Sequence, residues 1–362
     1  MITLLLALFT FLGSNQVLSQ EFVYVCNQNS ASISVINVAT LEVETTIDLQ
    51  TLGFSENAKP HHATVEPNGS FWYVTLIGEN RVLKFDRENK LVGQTEMEVP
   101  GLLALHPTKD ILFVGRSMSA VNPPQSFGVV SRSDMQLKEE VDLFFTRPHA
   151  IATIANNEHV FVASLVSNQI LSVDTETQEQ ELITMEGMNH MFVNFAISPD
   201  QETMVGTTQM TGKLLVFDIK DLLSPQLKKT IDVNAQPWHP VYSDDGTRVY
   251  FGNKEDNSIT VMNMTNLTIE KVIEGEGLSR PHGAVLSSDN KYLFVTNNNM
   301  IMNMGGMDDK QDHGEHGNHG SHSNHEEMEM AKPGMVTVVD TETLEIVKVI
   351  PVGMNPTGIG SR

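Results

Sequence analysis

Thr337-Val-Val-Asp340-Thr-Glu-Thr-Leu344-Glu345, close to the end of the chain, repeats Ser34-Val-Ile-Asn37-Val-Ala-Thr-Leu41-Glu42 near its start. Asp340 falls on Asn37 and Leu344 on Leu41. The same position recurs at Asp86, Ser133, Asp174, Asp218 and Asn263, in steps of 41 to 49 residues, with one last step of 77. A short alternating segment precedes six of the seven: Phe-Val-Tyr-Val-Cys (22–26), Phe-Trp-Tyr-Val-Thr (71–75), Ile-Leu-Phe-Val-Gly (111–115), Val-Phe-Val-Ala (160–163), Val-Tyr-Phe-Gly (249–252) and Tyr-Leu-Phe-Val-Thr (292–296). Period-2 alternation bounded by Asn, Asp and Gly marks strands. A repeat of 40 to 50 residues holding about four strands is a propeller blade.

Seven repeats predict an all-β fold: a seven-bladed β-propeller with four strands per blade. The final Met-Asn-Pro-Thr-Gly-Ile-Gly-Ser-Arg (354–362) matches only the opening of a repeat, whereas residues from Glu21 begin one strand into a repeat. The C-terminal strand should therefore join the N-terminal blade, closing the ring and leaving no free sheet edge between first and last blade. Residues 20–362 then form one domain, although 362 residues would otherwise suggest two or three.

The repeat resembles the YVTN family of β-propellers, in Tyr73-Val74-Thr75, Phe294-Val295-Thr296-Asn297 and Pro281-His282-Gly283, over residues 21 to 362. The resemblance implies the fold. It implies little about function, because one fold carries many activities.

Composition narrows the function. The chain has 45 Asp and Glu against 23 Lys and Arg, a net charge of -22, which repels phosphate backbones and argues against a nucleic-acid partner. One cysteine, Cys26, allows no internal disulfide and no cysteine zinc cluster, and is expected to be structural. GxSxG, P-loop, HExxH and CxxCH motifs are absent from the sequence, which removes the common hydrolase, nucleotide-binding and c-type haem readings. Residues 1–19, with the apolar run Ile-Thr-Leu-Leu-Leu-Ala-Leu-Phe-Thr-Phe-Leu (2–12), have the pattern of a signal peptide, and no later segment is a candidate membrane span. The expected location is the periplasm or the exterior.

The unusual counts are 13 His and 19 Met. Thirteen residues back from the last apolar residue of each second strand lies the expected opening of the innermost strand: His61, Gly101, His149, Phe192, Trp238, His282 and Thr357. His62 and His239 follow one residue later, and His190 lies just before its mark. These six histidines are expected at the mouth of the central channel, where neutral imidazoles converging from several strands suit Cu, Zn or Ni. The arrangement resembles, in outline, the hub copper centre of nitrous oxide reductase. His106 and His159 fall outside the register and are expected at the surface or in turns.

The step of 77 contains an insertion, residues 300–333, between the second and third strands of the last blade. It holds Met300, Met302, Met304, Met307, then His313, His316, His319, His322 and His325 at every third position, then Met328 and Met330. Gly, Ser, Asn and acidic residues fill the gaps, so it should be flexible and without a core. It resembles, in composition, the His/Met-rich stretches of periplasmic copper-handling proteins. Thioethers select Cu(I) and imidazoles Cu(II), so the mixture favours copper over zinc or nickel. Strand order puts its base on the face where the hub histidines open.

The leading expectation is an exported propeller that binds copper through the insertion, and through the hub, for metal handling. Two other classes stay open. One is a metal-free propeller whose top face recognises another exported protein or a ligand, and the other is a copper oxidoreductase working at the hub. No catalytic residue is assignable from sequence.

Overall fold

The computed structural model describes residues 21–117, 122, 124–155, 157–233, 236–299 and 333–361. The expected signal peptide, and every insertion residue singled out above from Met300 to Met330, lie outside the described residues. Twenty-eight strands form seven antiparallel four-stranded sheets. The C-terminal strand Pro356–Ser361 pairs with Phe22–Asn27, with Ile359 opposite Val25, and completes the first blade beside Ser32–Asn37 and Glu42–Asp48. The other six blades are contiguous in sequence, so the ring closes as the repeat phase requires.

Each blade follows the same chemistry. Its second and third strands, such as Phe22–Asn27 and Ser32–Asn37, are buried on both faces. Its outermost strand, such as Glu42–Asp48, is mostly exposed and reads Glu-Val-Glu-Thr-Thr-Ile-Asp. Charged outer strands of this kind blunt the sheet edge against pairing. Seven apolar clusters fill the seven blade-to-blade contacts. The first, between blades one and two, stacks Tyr24 on Trp72 on Phe85 with centroids 4.3 and 4.2 Å apart. Cys26 lies in that cluster and is fully buried, which pushes its thiol pKa far up and makes it a packing residue.

The repeated Asn or Asp ends the third strand and nucleates the next turn. Asp340 Oδ1 accepts the amides of Glu342 and Thr343, and Asn37 Oδ1 those of Ala39 and Thr40. Such Asx turns mimic a backbone turn. In blade three the strand ends at Ser131, two residues before the expected Ser133; Asp134 caps the turn there by accepting the Gln136 amide.

Seven inner strands surround the channel, beginning at Pro60, Pro100, Pro148, Phe192, Val241, Pro281 and Pro356. The residue before most of them turns into the left-handed region: Lys59, Val99, Arg147, Met191, Arg280 and Asn355 have φ between 51 and 55° except Val99 at 39°. Blade six differs. Pro237 and Pro240 remove amide donors, so its inner strand shrinks to Val241–Tyr242 plus a single bridge from Pro237 to Asn253.

Candidate metal centre

A β-bulge opens the inner strand. Pro148 pairs with Ser164 but Ala150 pairs with Ala163, which leaves His149 as the extra residue. The same shift brackets His61 and His62 between Pro60 and Ala63, and His282 between Pro281 and Ala284. A bulge re-aims a side chain out of the ladder, and here the re-aimed side chains are histidines. The amides freed by the bulge go to the threonine of the second strand. Thr75 Oγ1 accepts from the His62 amide and donates to the Gly101 carbonyl of the next blade (3.2 and 2.9 Å). Thr296 Oγ1 accepts from Gly283 and donates to Thr357 (2.8 and 2.7 Å), and Thr357 Oγ1 donates to the His61 carbonyl (3.1 Å). The Thr of the repeat thus ties one blade's bulge to its neighbour's. The inner strands approach so closely that a Cβ on Gly358 would lie 2.2 Å from the His61 carbonyl oxygen.

Five of the six expected hub histidines come together. His61, His149, His239 and His282 are buried and His62 is partly so. The rings of His62 and His239 stack at 6.0 Å, and those of His239 and His282 lie 5.2 Å apart. Burial, then the mutual repulsion of these rings, depresses their basicity. His61 falls to about 3 and His62 to about 4. Burial alone takes His149 to about 4 despite its hydrogen bond to Val193. His239 and His282 are also shifted well down, chiefly by burial and with Lys254 and neighbouring rings adding to it. The cluster is therefore uncharged at neutral pH, the form that ligates metals.

Hydrogen bonds assign the ring protons. His149 Nδ1 donates to the Val193 carbonyl (2.7 Å), which leaves a bare lone pair on Nε2, and Nε2 is buried with no partner. That pairing of a carbonyl-anchored N–H with an open lone pair is the usual state of a metal-ligating histidine. His61 Nδ1 and Nε2, His239 Nε2 and His282 Nδ1 are also buried without partners. His62 is different. Its Nδ1 accepts the Leu103 amide (3.2 Å), so the proton of the neutral ring sits on Nε2, which makes it a donor and not a lone-pair ligand. As the rings stand, no group of three His, Cys, Asp or Glu among the described residues converges as a metal ion needs, so coordination requires ring rotation.

His190 does not join them. It sits in the approach to blade five, where Nδ1 bonds Thr211 Oγ1 (2.8 Å) and the ring packs on Phe192 (6.1 Å). The thirteen-residue rule lands one residue early in that blade. The strand pairing makes Gly206 the equivalent of Val74, so counting from Val205 selects Phe192, whereas Val193 holds the bulge position. Of the two histidines expected at the surface or in turns, His106 lies in a turn and His159 in a strand, and both are buried, at 0% and 1% exposure. His106 caps a turn by accepting the Thr108 and Lys109 amides at Nδ1 (3.2 and 3.0 Å) and donating from Nε2 to the Asn157 carbonyl (2.6 Å). His159 opens a second strand and donates to Ser172 Oγ (2.6 Å).

Lys254 is the hub residue that sequence reasoning missed. It follows the second strand of blade six, a position held by Ile77, Leu165 and Asn298 elsewhere. It is buried, its Nζ lies 4.1 Å from the centre of the Trp238 ring, and burial followed by repulsion from Arg280 lowers its pKa to about 8. Trp238 in turn packs on His282 (5.1 Å), and Trp238 Nε1 has no acceptor. Lys254 opposes a cation in the hub, while the ring lone pairs favour one. Of the thioethers and thiol near this face, Met210 is exposed and Cys26 is not available. The insertion's base does reach it: Asn299 Nδ2 donates to the Pro333 carbonyl (2.7 Å), and Gly334 lies against Pro356.

No family model matches the chain, and no curated protein matches it. Solved structures do. A functionally unknown protein from Desulfotomaculum acetoxidans aligns with a TM-score of 0.71 at 15% identity, over 94% of this chain and 98% of that one. Kuenenia stuttgartiensis hydrazine synthase aligns at 0.62 and 19% identity, over 83% and 89%. Dihydro-haem d1 dehydrogenase NirN aligns at 0.59 and 12% identity, over 93% and 74%. At these identities the likeness establishes a shared fold and nothing finer.

Proposed function

We propose that this is an exported β-propeller that binds copper at its hub, supplied by the His/Met-rich insertion, for metal handling. The observation that carries the reading is the set of buried, uncharged imidazoles with open ring nitrogens, led by His149, whose Nδ1–H is anchored and whose Nε2 lone pair is free. His61 and His282, whose rings interact with each other and with His149, complete a nitrogen site after ring rotation. Nitrogen-only donors suit Cu, Zn and Ni alike; the methionines of the insertion select copper among them. Met300, Met302, Met304, Met307, Met328 and Met330 with His313, His316, His319, His322 and His325 form the capturing segment, and the face from which its base rises is the face of the hub.

Metal analysis of protein purified without chelators tests this. Copper should remain at about one per chain when residues 300–332 are replaced by a short linker, and should be lost when His61, His149 and His282 are changed to Ala. Sub-stoichiometric copper in both the full chain and the deletion would overturn it.

A further inference from the structure

Among the described residues no carboxylate perturbs the hub rings, on a chain with 45 acidic residues. The charged or titratable neighbours that perturb its rings are other histidines and Lys254, and the charged neighbour of Lys254 is Arg280. Beside His62 and His239 lies a cavity of about 240 Å³. It runs from His62 and His239 past Asn194 and Gly283 to Val65 and Ser361, and no acidic residue lines it. Two ring N–H donors stand at its upper end, beside the unpartnered Oδ1 of Asn194. His62 is held by the Leu103 amide in the tautomer that carries its proton on Nε2. Asn194 Nδ2 bonds His239 Nδ1 (3.3 Å), which leaves the proton of that neutral ring on its unpartnered Nε2. Above them, His282 and Trp238 connect His239 to the Lys254 ammonium in a stack with spacings of 5.2, 5.1 and 4.1 Å.

We propose that this channel segment binds a small oxyanion, a carboxylate or a phosphate, with His62 and His239 donating to it and Lys254 and Arg280 supplying the attracting charge. A carboxylate-free site with ring N–H donors inside an acidic protein favours an anion twice over. Its ring N–H groups need acceptors, and the charged group that perturbs the buried Lys254 is another cation, Arg280. The volume falls below the roughly 300–1,000 Å³ used for drug-sized ligands, so the ligand is a few heavy atoms across. The site needs no metal.

The test uses the full chain after chelator treatment, so its outcome is separate from that of copper binding. Succinate and inorganic phosphate are titrated against chloride of matched ionic strength, reading the thermal midpoint and tryptophan fluorescence, since Trp238 lies in the stack. Saturable binding of succinate, phosphate or both is expected, and which of them binds identifies the class. Lys254→Met, which keeps an apolar chain on Trp238, and His62→Phe should each weaken it at least tenfold. A chloride response equal to the others, or affinities unchanged in Lys254→Met, would overturn the site.

Discussion

Two groups of buried histidines share burial and suppressed basicity but not their bonding. His106 and His159 have committed ring nitrogens: His106 holds two amides and a carbonyl, and His159 holds Ser172. The hub rings leave five nitrogens open among His61, His149, His239 and His282. Burial alone therefore does not mark a site in this protein. The unpartnered ring nitrogen does, because a buried polar atom without a partner costs about 1–3 kcal/mol and persists where something else engages it.

Copper affinity should separate the two groups most sharply. His149→Ala is expected to weaken hub copper by about a hundredfold or more, exceeding the 10–100-fold typical of losing an outer-shell partner. His159→Ala should leave it unchanged, as competition with a calibrated chelator on the deletion protein would show. An equal loss in both would dissolve the distinction.

Stability should separate them in the opposite sense. His106→Ala strands two amides and a carbonyl, and is expected to lower the urea-unfolding free energy of metal-free protein by about 3 kcal/mol. His61→Ala removes a ring with no hydrogen bond to lose, and should cost about 1 kcal/mol for packing.

Acid should strike the hub. The folded pKa values of His61, His62 and His149, about 3, 4 and 4, lie below the unfolded value near 6.5, so the unfolded chain takes up protons first as pH falls. Stability is full above about pH 6.5 and declines toward pH 4, by up to about 1.4 kcal/mol per pH unit for each ring. Replacing His61 and His149 by Phe should flatten that slope in a pH series of thermal midpoints. The smallest effect belongs to Lys254→Met, which removes the hub's buried cation and should tighten copper about threefold to tenfold while weakening oxyanion binding.

The sequence carried the fold through the Asx position and the alternating second strands, because both recur with the blade. It carried His61, His149 and His282 by counting, since six blades keep an apolar residue at the counting mark. The count failed at Phe192 because Gly206 replaces that residue. His106 was expected in its turn but not in the interior, and His159 was misjudged outright, because period and register do not reveal that a ring turns inward to a buried partner such as Ser172. Lys254 was invisible for the same reason: its repeat position is apolar or neutral in other blades, and only the packing on Trp238 turns it into the hub. Ring protons are set by single backbone bonds from Leu103 and Val193, which no spacing encodes.

The most direct measurement is pulsed EPR of Cu(II) in the protein lacking residues 300–332. Couplings from several imidazole nitrogens are expected, lost on His61, His149 and His282 substitution to Ala and retained in His106→Ala. A spectrum without imidazole nitrogen, or one indifferent to the three hub substitutions, would contradict a copper centre at the hub.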